Sequence, residues 1–216
     1  MSDSRNQEEI ETILWDFGGI FTGSPFHGME EYAENLGLTV EEITRLVLGY
    51  GIPDGDHPWH RLERGEVSME DAALGCIRAV EEAGIGGFDI REFFKAISGN
   101  PDHTDEMYAG VRRLKDKGIR QIIVSNNIRE FNGIWKSMLP AGLFDGIIDS
   151  SQVGVRKPDP AIFHLALDKG KAKPERTVFL DDYEEHIQVA NSLGIHGMLV
   201  GKDPIEALTK LEKMVV

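Results

Sequence analysis

The sequence predicts an α/β fold, a parallel sheet with helices on both faces and a helical insertion after the first strand. Three observations predict it. A short apolar run, Thr12-Ile13-Leu14-Trp15, ends on Asp16 and is followed at once by Gly18-Gly19. From about Phe26 to Asn100 there is helical periodicity and no strand pattern. Beyond that stretch, strand and helix patterns alternate to the C-terminus. Such alternation implies right-handed βαβ units and hence parallel pairing.

Each element has a local reason. The run at Thr12 is apolar and bounded by turn residues, so it reads as a buried strand. Gly18-Gly19 reads as a tight turn that lets a group approach the backbone closely. Met29 to Leu36 is helix-like, and Val40 to Leu48 carries Val40, Ile43, Leu46 and Val47 on one helical face. Gly49 to Gly55 breaks the chain, and Trp59 to Glu63 resumes a helix. Ser68 stands three residues before Asp71, a capping pattern that opens a helix to about Ala83. Asp89 to Ile97 is the next, so the insertion should hold four or five helices.

The second half begins with a helix at Glu106 to Lys117, stopped by Gly118. Ile119 to Val124 is a β-branched strand, Ile128 to Met138 a helix, and Gly146 to Asp149 a short strand. Asp159-Pro160 supplies a cap and a first-turn proline for a helix at Ala161 to Asp168. Thr177 to Leu180 is a strand, Glu184 to Leu193 a helix ended by Gly194, His196 to Val200 a strand, and Pro204 to Met214 the last helix. The expected division is residues 10–24 and 100–216 for the sheet core, with residues 25–99 as the insertion. Met1 to Glu9 is polar and expected to be frayed.

Composition narrows the function. The chain has 216 residues, 28% of them charged and 41% hydrophobic, a globular balance with room for a core. Its formal net charge of -14 argues against nucleic acid and anionic membrane as partners. An anionic small molecule would need a local positive spot. Cys76 is the only cysteine, which excludes a disulfide framework and a thiolate metal cluster and fits a reducing cytoplasm. No apolar run reaches membrane length, and the start lacks the pattern of a signal peptide. The expected setting is cytoplasmic and the expected partner a small metabolite. Oligomeric state is not legible.

In a parallel sheet the carboxyl ends of the strands share one edge, where ligands bind. Asp16 ends the first strand, Ser125-Asn126-Asn127 follows the second, and Asp181-Asp182 ends a later one. Lys157 arrives from the loop Val155 to Pro160. Each has a modest reading alone: Asp16 a turn cap, Ser125 a helix cap, Asp181-Asp182 a turn, Lys157 a solvated side chain. Together they make coherent chemistry. Carboxylates crowded at one edge repel unless a cation sits among them. Oxygen ligands select Mg²⁺. Asp16 could then stay ionised and accept a phosphoryl group, with Lys157 and the Ser125 hydroxyl neutralising the transferring oxygens.

Four motifs occur in order: Trp15-Asp16-Phe17-Gly18-Gly19-Ile20-Phe21, Val124-Ser125-Asn126-Asn127, Val155-Arg156-Lys157-Pro158-Asp159-Pro160-Ala161-Ile162-Phe163, and Phe179-Leu180-Asp181-Asp182. With them the chain resembles the haloacid dehalogenase-like hydrolases from about Ile10 to Val200. The resemblance implies a Rossmann-like core with an inserted helical cap. It implies Asp16 as nucleophile and Ser125 and Lys157 as phosphate ligands. It also implies a Mg²⁺ site made by Asp16, Asp182, the assisting Asp181 and the Gly18 carbonyl. His57-Pro58-Trp59 through Ser68 resembles the cap of a branch that includes sugar-phosphate phosphatases and the amino-terminal domain of soluble epoxide hydrolases. Asn126 and Trp59 are substrate-binding candidates; Trp59 and Tyr50 line a pocket or pack within the cap.

Two positions depart from the pattern. Gly18 stands where most family phosphatases carry an Asp as general acid and base, a group typically worth about 10²–10⁴-fold. His186 stands where the family usually has Asp or Asn, and packing is its expected role. The expected function is a Mg²⁺-dependent hydrolase of small phosphomonoesters working through an aspartyl-phosphate. The alternatives are a metal-independent haloacid dehalogenase and a non-catalytic phosphate-binding protein.

Overall fold

The computed structural model of the protein describes residues 9–23, 29–97 and 103–215. The frayed start expected before Glu9 and the insertion boundaries expected at 24/25 and 99/100 lie outside the described residues.

Strand β1 (Thr12–Trp15) leads into the insertion, helices α1 (Glu30–Asn35), α2 (Val40–Leu48), α3 (Pro58–Glu63), α4 (Met69–Glu82) and α5 (Ile90–Ile97). The chain then runs α6 (Thr104–Asp116), β2 (Arg120–Ser125), α7 (Asn132–Ser137), β3 (Gly146–Asp149), α8 (Ser150–Val153), α9 (Pro160–Gly170), β4 (Thr177–Asp181), α10 (Glu184–Ser192), β5 (His196–Leu199) and α11 (Pro204–Met214). The sheet order is β3-β2-β1-β4-β5, parallel throughout.

Side chains alternate across a strand, and here the alternation sorts two cores. Ile13 and Trp15 face α6 and α11, among Met107, Val111, Leu114, Leu208 and Leu211. Leu14 faces α9 and α10, among Ile162, Phe163, Ile187 and Ala190. All four residues of β1 are buried, as a central strand covered on both faces requires. The indole of Trp15 avoids an orphaned donor by giving its N–H to Gln121 Oε1 at 2.7 Å.

The insertion has its own apolar centre, including Met29, Ile43, Val47, Cys76, Val80 and Phe93. Its helices start where the sequence signals them. Thr39 and Glu42 form a reciprocal capping box before α2, and Ser68 Oγ accepts the Asp71 N–H before α4. No helix among the described residues is long and apolar enough to cross a membrane.

Two elements differ from the sequence expectation. The helix expected from Ile128 starts later, because the Asn127 side chain accepts the Ile128 N–H at 2.8 Å and holds Ile128 extended. A single 3₁₀ turn at Arg129–Phe131 then precedes α7. The short helix α8 was not expected. Asp149 caps it through the Ser151 N–H, and Gly154 in the left-handed region (φ +75°) ends it.

Candidate active site

Register sets the site. Trp15 of β1 is paired with Leu180 of β4, so Asp16 and Asp181 leave adjacent strands at the same level. The Asp16 N–H donates to Leu180 O at 2.9 Å. Between the two carboxylates lies Lys157, whose Nζ is 2.7 Å from Asp16 Oδ1 and 2.6 Å from Asp181 Oδ2. Lys157 is buried, so its charge is spent on these two partners and not on solvent. Asn126 fixes its backbone. The Asn126 amide accepts the Lys157 N–H at 2.8 Å and donates to Lys157 O at 3.0 Å.

Asp181 is fully buried, and both its oxygens are engaged. Besides Lys157 it accepts the Tyr183 N–H at 2.8 Å and His186 Nδ1 at 3.0 Å from each oxygen. Burial opposes its charge, but His186 and Lys157 outweigh burial and hold its carboxyl well below the usual range. Asp16 goes the other way. Burial first, then the neighbouring Asp181 and Asp182, push it up to about 8 against the pull of Lys157. The Lys157 ammonium is held above its ordinary range by Asp16 and Asp181, despite burial.

Asp182 completes the cluster. One oxygen from each of Asp16, Asp181 and Asp182 lies within 4.8 Å of the others. Asp182 comes so close to the turn that a Cβ on Gly19 would sit 2.1 Å from its Oδ2. Gly19 also has φ +73°, so it is the glycine the turn requires. Gly18 is different: its φ is ordinary, and a Cβ there meets nothing within 4 Å.

These residues fit a divalent cation. Three carboxylates crowd one ammonium, and the donors are all hard oxygens. Asp16 and Asp182 are the better-suited ligands, since the Asp181 oxygens already serve Lys157, His186 and the Tyr183 N–H.

A cavity of about 160 Å³ opens over the cluster. It is lined by Asp16, Gly18, Asn126, Lys157 and Asp182, with Trp59 from the insertion. Ser125, at the end of β2, is buried and faces a larger adjoining cavity with Asn126, its hydroxyl 3.4 Å from Asn126 O. Trp59 combines both roles that the sequence allowed. It lines the cavity and packs on Phe94 with ring centroids 5.7 Å apart.

His186 is buried, lines the small cavity and hydrogen-bonds Asp181. Burial lowers its pKa despite Asp181. With Nδ1 donating to Asp181, its Nε2 is a buried lone-pair atom without a partner. Its place four residues after Asp182 was the available signal.

Sequence reasoning missed Glu63 and Arg156. Arg156 Nε donates to Glu63 Oε2 at 2.6 Å, both side chains buried, and Trp59 Nε1 donates to Glu63 Oε1 at 3.0 Å. Ser150 Oγ donates to Glu63 O at 2.6 Å. These bonds tie α3 to the core beside Lys157. The signal was an arginine directly before the motif lysine, and it does not name its partner.

The profile of the haloacid dehalogenase-like hydrolases matches residues 10–194. The chain is 31% identical to bifunctional epoxide hydrolase 2 of Rattus norvegicus over 95% of its own length and 39% of that protein. It spans less than half of the first curated relatives it matches. It is 25% identical to a sesquiterpene phosphatase of Aspergillus oryzae, covering 88% of this chain and 89% of that one. Its fold is that of a Bacteroides thetaiotaomicron enzyme of the same family, solved with magnesium and inorganic phosphate. The TM-score there is 0.56 at 20% identity, over 89% of this chain and 95% of that one. With a profile that matches most of its length, this chain belongs to the haloacid dehalogenase-like hydrolases, a family in which phosphatases are among its relatives.

Proposed function

We propose that the protein is a Mg²⁺-dependent hydrolase of small phosphomonoesters. The observation that carries the reading is Lys157 held between Asp16 and Asp181 with Asp182 in reach. It gives an anion a buried positive contact next to a carboxylate nucleophile inside an acidic protein.

Asp16 and Asp182, with the backbone at Gly18, are the groups that would hold Mg²⁺. When bound, the ion supplies positive charge that keeps Asp16 ionised and offsets the phosphoryl oxygens. The chain's own residues do the rest. An Asp16 oxygen bonds to phosphorus as the bond from phosphorus to the leaving oxygen breaks, and that oxygen takes its proton from water. Lys157 binds a phosphoryl oxygen, and Ser125 hydrogen-bonds another. Water then attacks phosphorus, the aspartyl-phosphate opens, and inorganic phosphate leaves with Asp16 restored. Asp181 orients Lys157 and His186.

We assign residues 25–99 as a cap over a core of residues 10–24 and 100–216, with Trp59 and Glu63 closing the site from the cap side. A cytoplasmic setting belongs to the same proposal. The phosphatase named among the relatives and the magnesium and phosphate bound by the Bacteroides enzyme support the reading. The dehalogenase alternative suits Gly18 but gives no reason for the Asp182 carboxylate so close to Asp16. Phosphate release from aryl phosphates, measured with Mg²⁺ and with EDTA, tests the proposal. Turnover that is absent with Mg²⁺, or unchanged by EDTA, would overturn it.

A further inference from the structure

The small cavity over Asp16 adjoins a larger one of about 590 Å³; they share Gly18, Trp59, Glu63, Ile97 and Asn126 as lining. The walls of the larger cavity come from both layers. The insertion gives Trp59, Met69 and Phe94, and the segment around α7 gives Phe131, Ile134 and Met138. These last three are 48%, 64% and 55% exposed. Three large apolar side chains side by side at a cavity mouth are unusual on a chain with net charge -14.

Three of the polar side chains that line this cavity, Asn126, Asn127 and Glu63, are committed elsewhere, and Ser125 stands at its border with the small cavity. Asn126 is bonded at both ends to the Lys157 backbone. Asn127 serves Ile128 N–H and Asp149. Glu63 serves Trp59 and Arg156. Among the described residues that line the cavity, none is Lys, Arg or His. Among those described residues a second phosphate finds no counter-charge and a polyol few open partners. A hydrocarbon would find aromatic and aliphatic walls.

We propose that the larger cavity is a subsite for an apolar leaving group. The favoured substrate is then the phosphate monoester of a hydrophobic alcohol or phenol, with the dianion at Lys157 and the hydrocarbon against Trp59, Phe131 and Ile134. This inference rests on the phosphatase reading for its chemistry and adds the substrate class to it.

A series of 4-alkylphenyl phosphates, methyl to heptyl, tests it. The leaving-group pKa is nearly constant along the series, so chain length reads the cavity alone. In wild type with Mg²⁺, kcat/KM should rise about two- to fourfold per added methylene until the cavity is filled. Phe131→Asp and Ile134→Asp, both at exposed positions, should flatten that rise while circular dichroism stays native. Calorimetry with methyl- and heptylphosphonate supplies an arm that needs no turnover, and the longer chain should bind more tightly. Rate and binding that are both independent of chain length would overturn the subsite. Chain-length-dependent binding without any turnover would overturn the hydrolase reading and uphold the subsite.

Discussion

Glu63 and Arg156 form a buried ion pair, Oε2 to Nε at 2.6 Å, across the seam between the helical insertion and the sheet core. Arg156 directly precedes Lys157, so this seam and the lysine between Asp16 and Asp181 share one loop. Removing one partner strands a charge away from water. Arg156→Ala or Glu63→Ala should each cost about 3–5 kcal/mol in urea unfolding. The double change Glu63→Gln with Arg156→Met should cost less than either. Equal, small losses for all three would mean that the pair is solvated in solution.

Asp16→Asn should abolish turnover and leave the protein folded. It should also relieve the metal-free protein. A carboxyl whose folded pKa is raised to about 8 contributes stability that is fully present below its unfolded value near 4 and is lost as pH rises toward 8. In EDTA, the stability of wild type relative to Asp16→Asn should therefore fall across pH 4 to 8. A difference that is flat with pH, measured by thermal unfolding, would contradict the burial argument.

Mg²⁺ should reverse that penalty. At a hundredfold excess over its dissociation constant it should stabilise the fold by about 2.7 kcal/mol. Asp182→Ala should abolish the response, since Asp181 alone has its oxygens already engaged. A wild-type melting temperature unmoved by saturating Mg²⁺ would count against a metal site.

The two glycines after Asp16 should behave oppositely. Gly18 has an ordinary φ and open space, so Gly18→Asp should fold normally. It should raise turnover of alkyl phosphates, whose poor leaving groups need a proton, by up to about 10²–10⁴-fold. Gly19→Ala would drive a Cβ into Asp182 and should abolish the Mg²⁺ response. Wild type should meanwhile prefer aryl over alkyl phosphates steeply. Equal kcat/KM for the two, with chemistry limiting, would reveal a general acid elsewhere in the site.

The sheet was legible because its signals are local. Apolar runs, glycine stops and the Asp159-Pro160 cap each act within a few residues, and the helix and strand starts follow them. The convergence of Asp16, Lys157, Asp181 and Asp182 was legible because parallel strands share one edge. What was not legible depends on partners distant in sequence. Nothing near Glu63 announces Arg156, which lies 93 residues further along the chain. The sequence marks Gly18-Gly19 as one turn and does not say which of the two needs to be glycine. The need arises from how close Asp182 comes to Gly19.

The strand that ends in Asp16 is the first of the five in chain order and the middle one of the sheet. Its neighbours, Arg120–Ser125 and Thr177–Asp181, leave the ribosome long afterwards. Until then Thr12–Trp15 is an apolar segment with unpaired backbone on both sides. The helical insertion, whose contacts are mostly local, can collapse in that interval, but the sheet cannot close. The side of β1 that carries the site can pair only once the strand that ends in Asp181 is available. Docking of that strand beside the first brings Asp181 next to Asp16, and β5 (His196–Leu199) then completes the sheet.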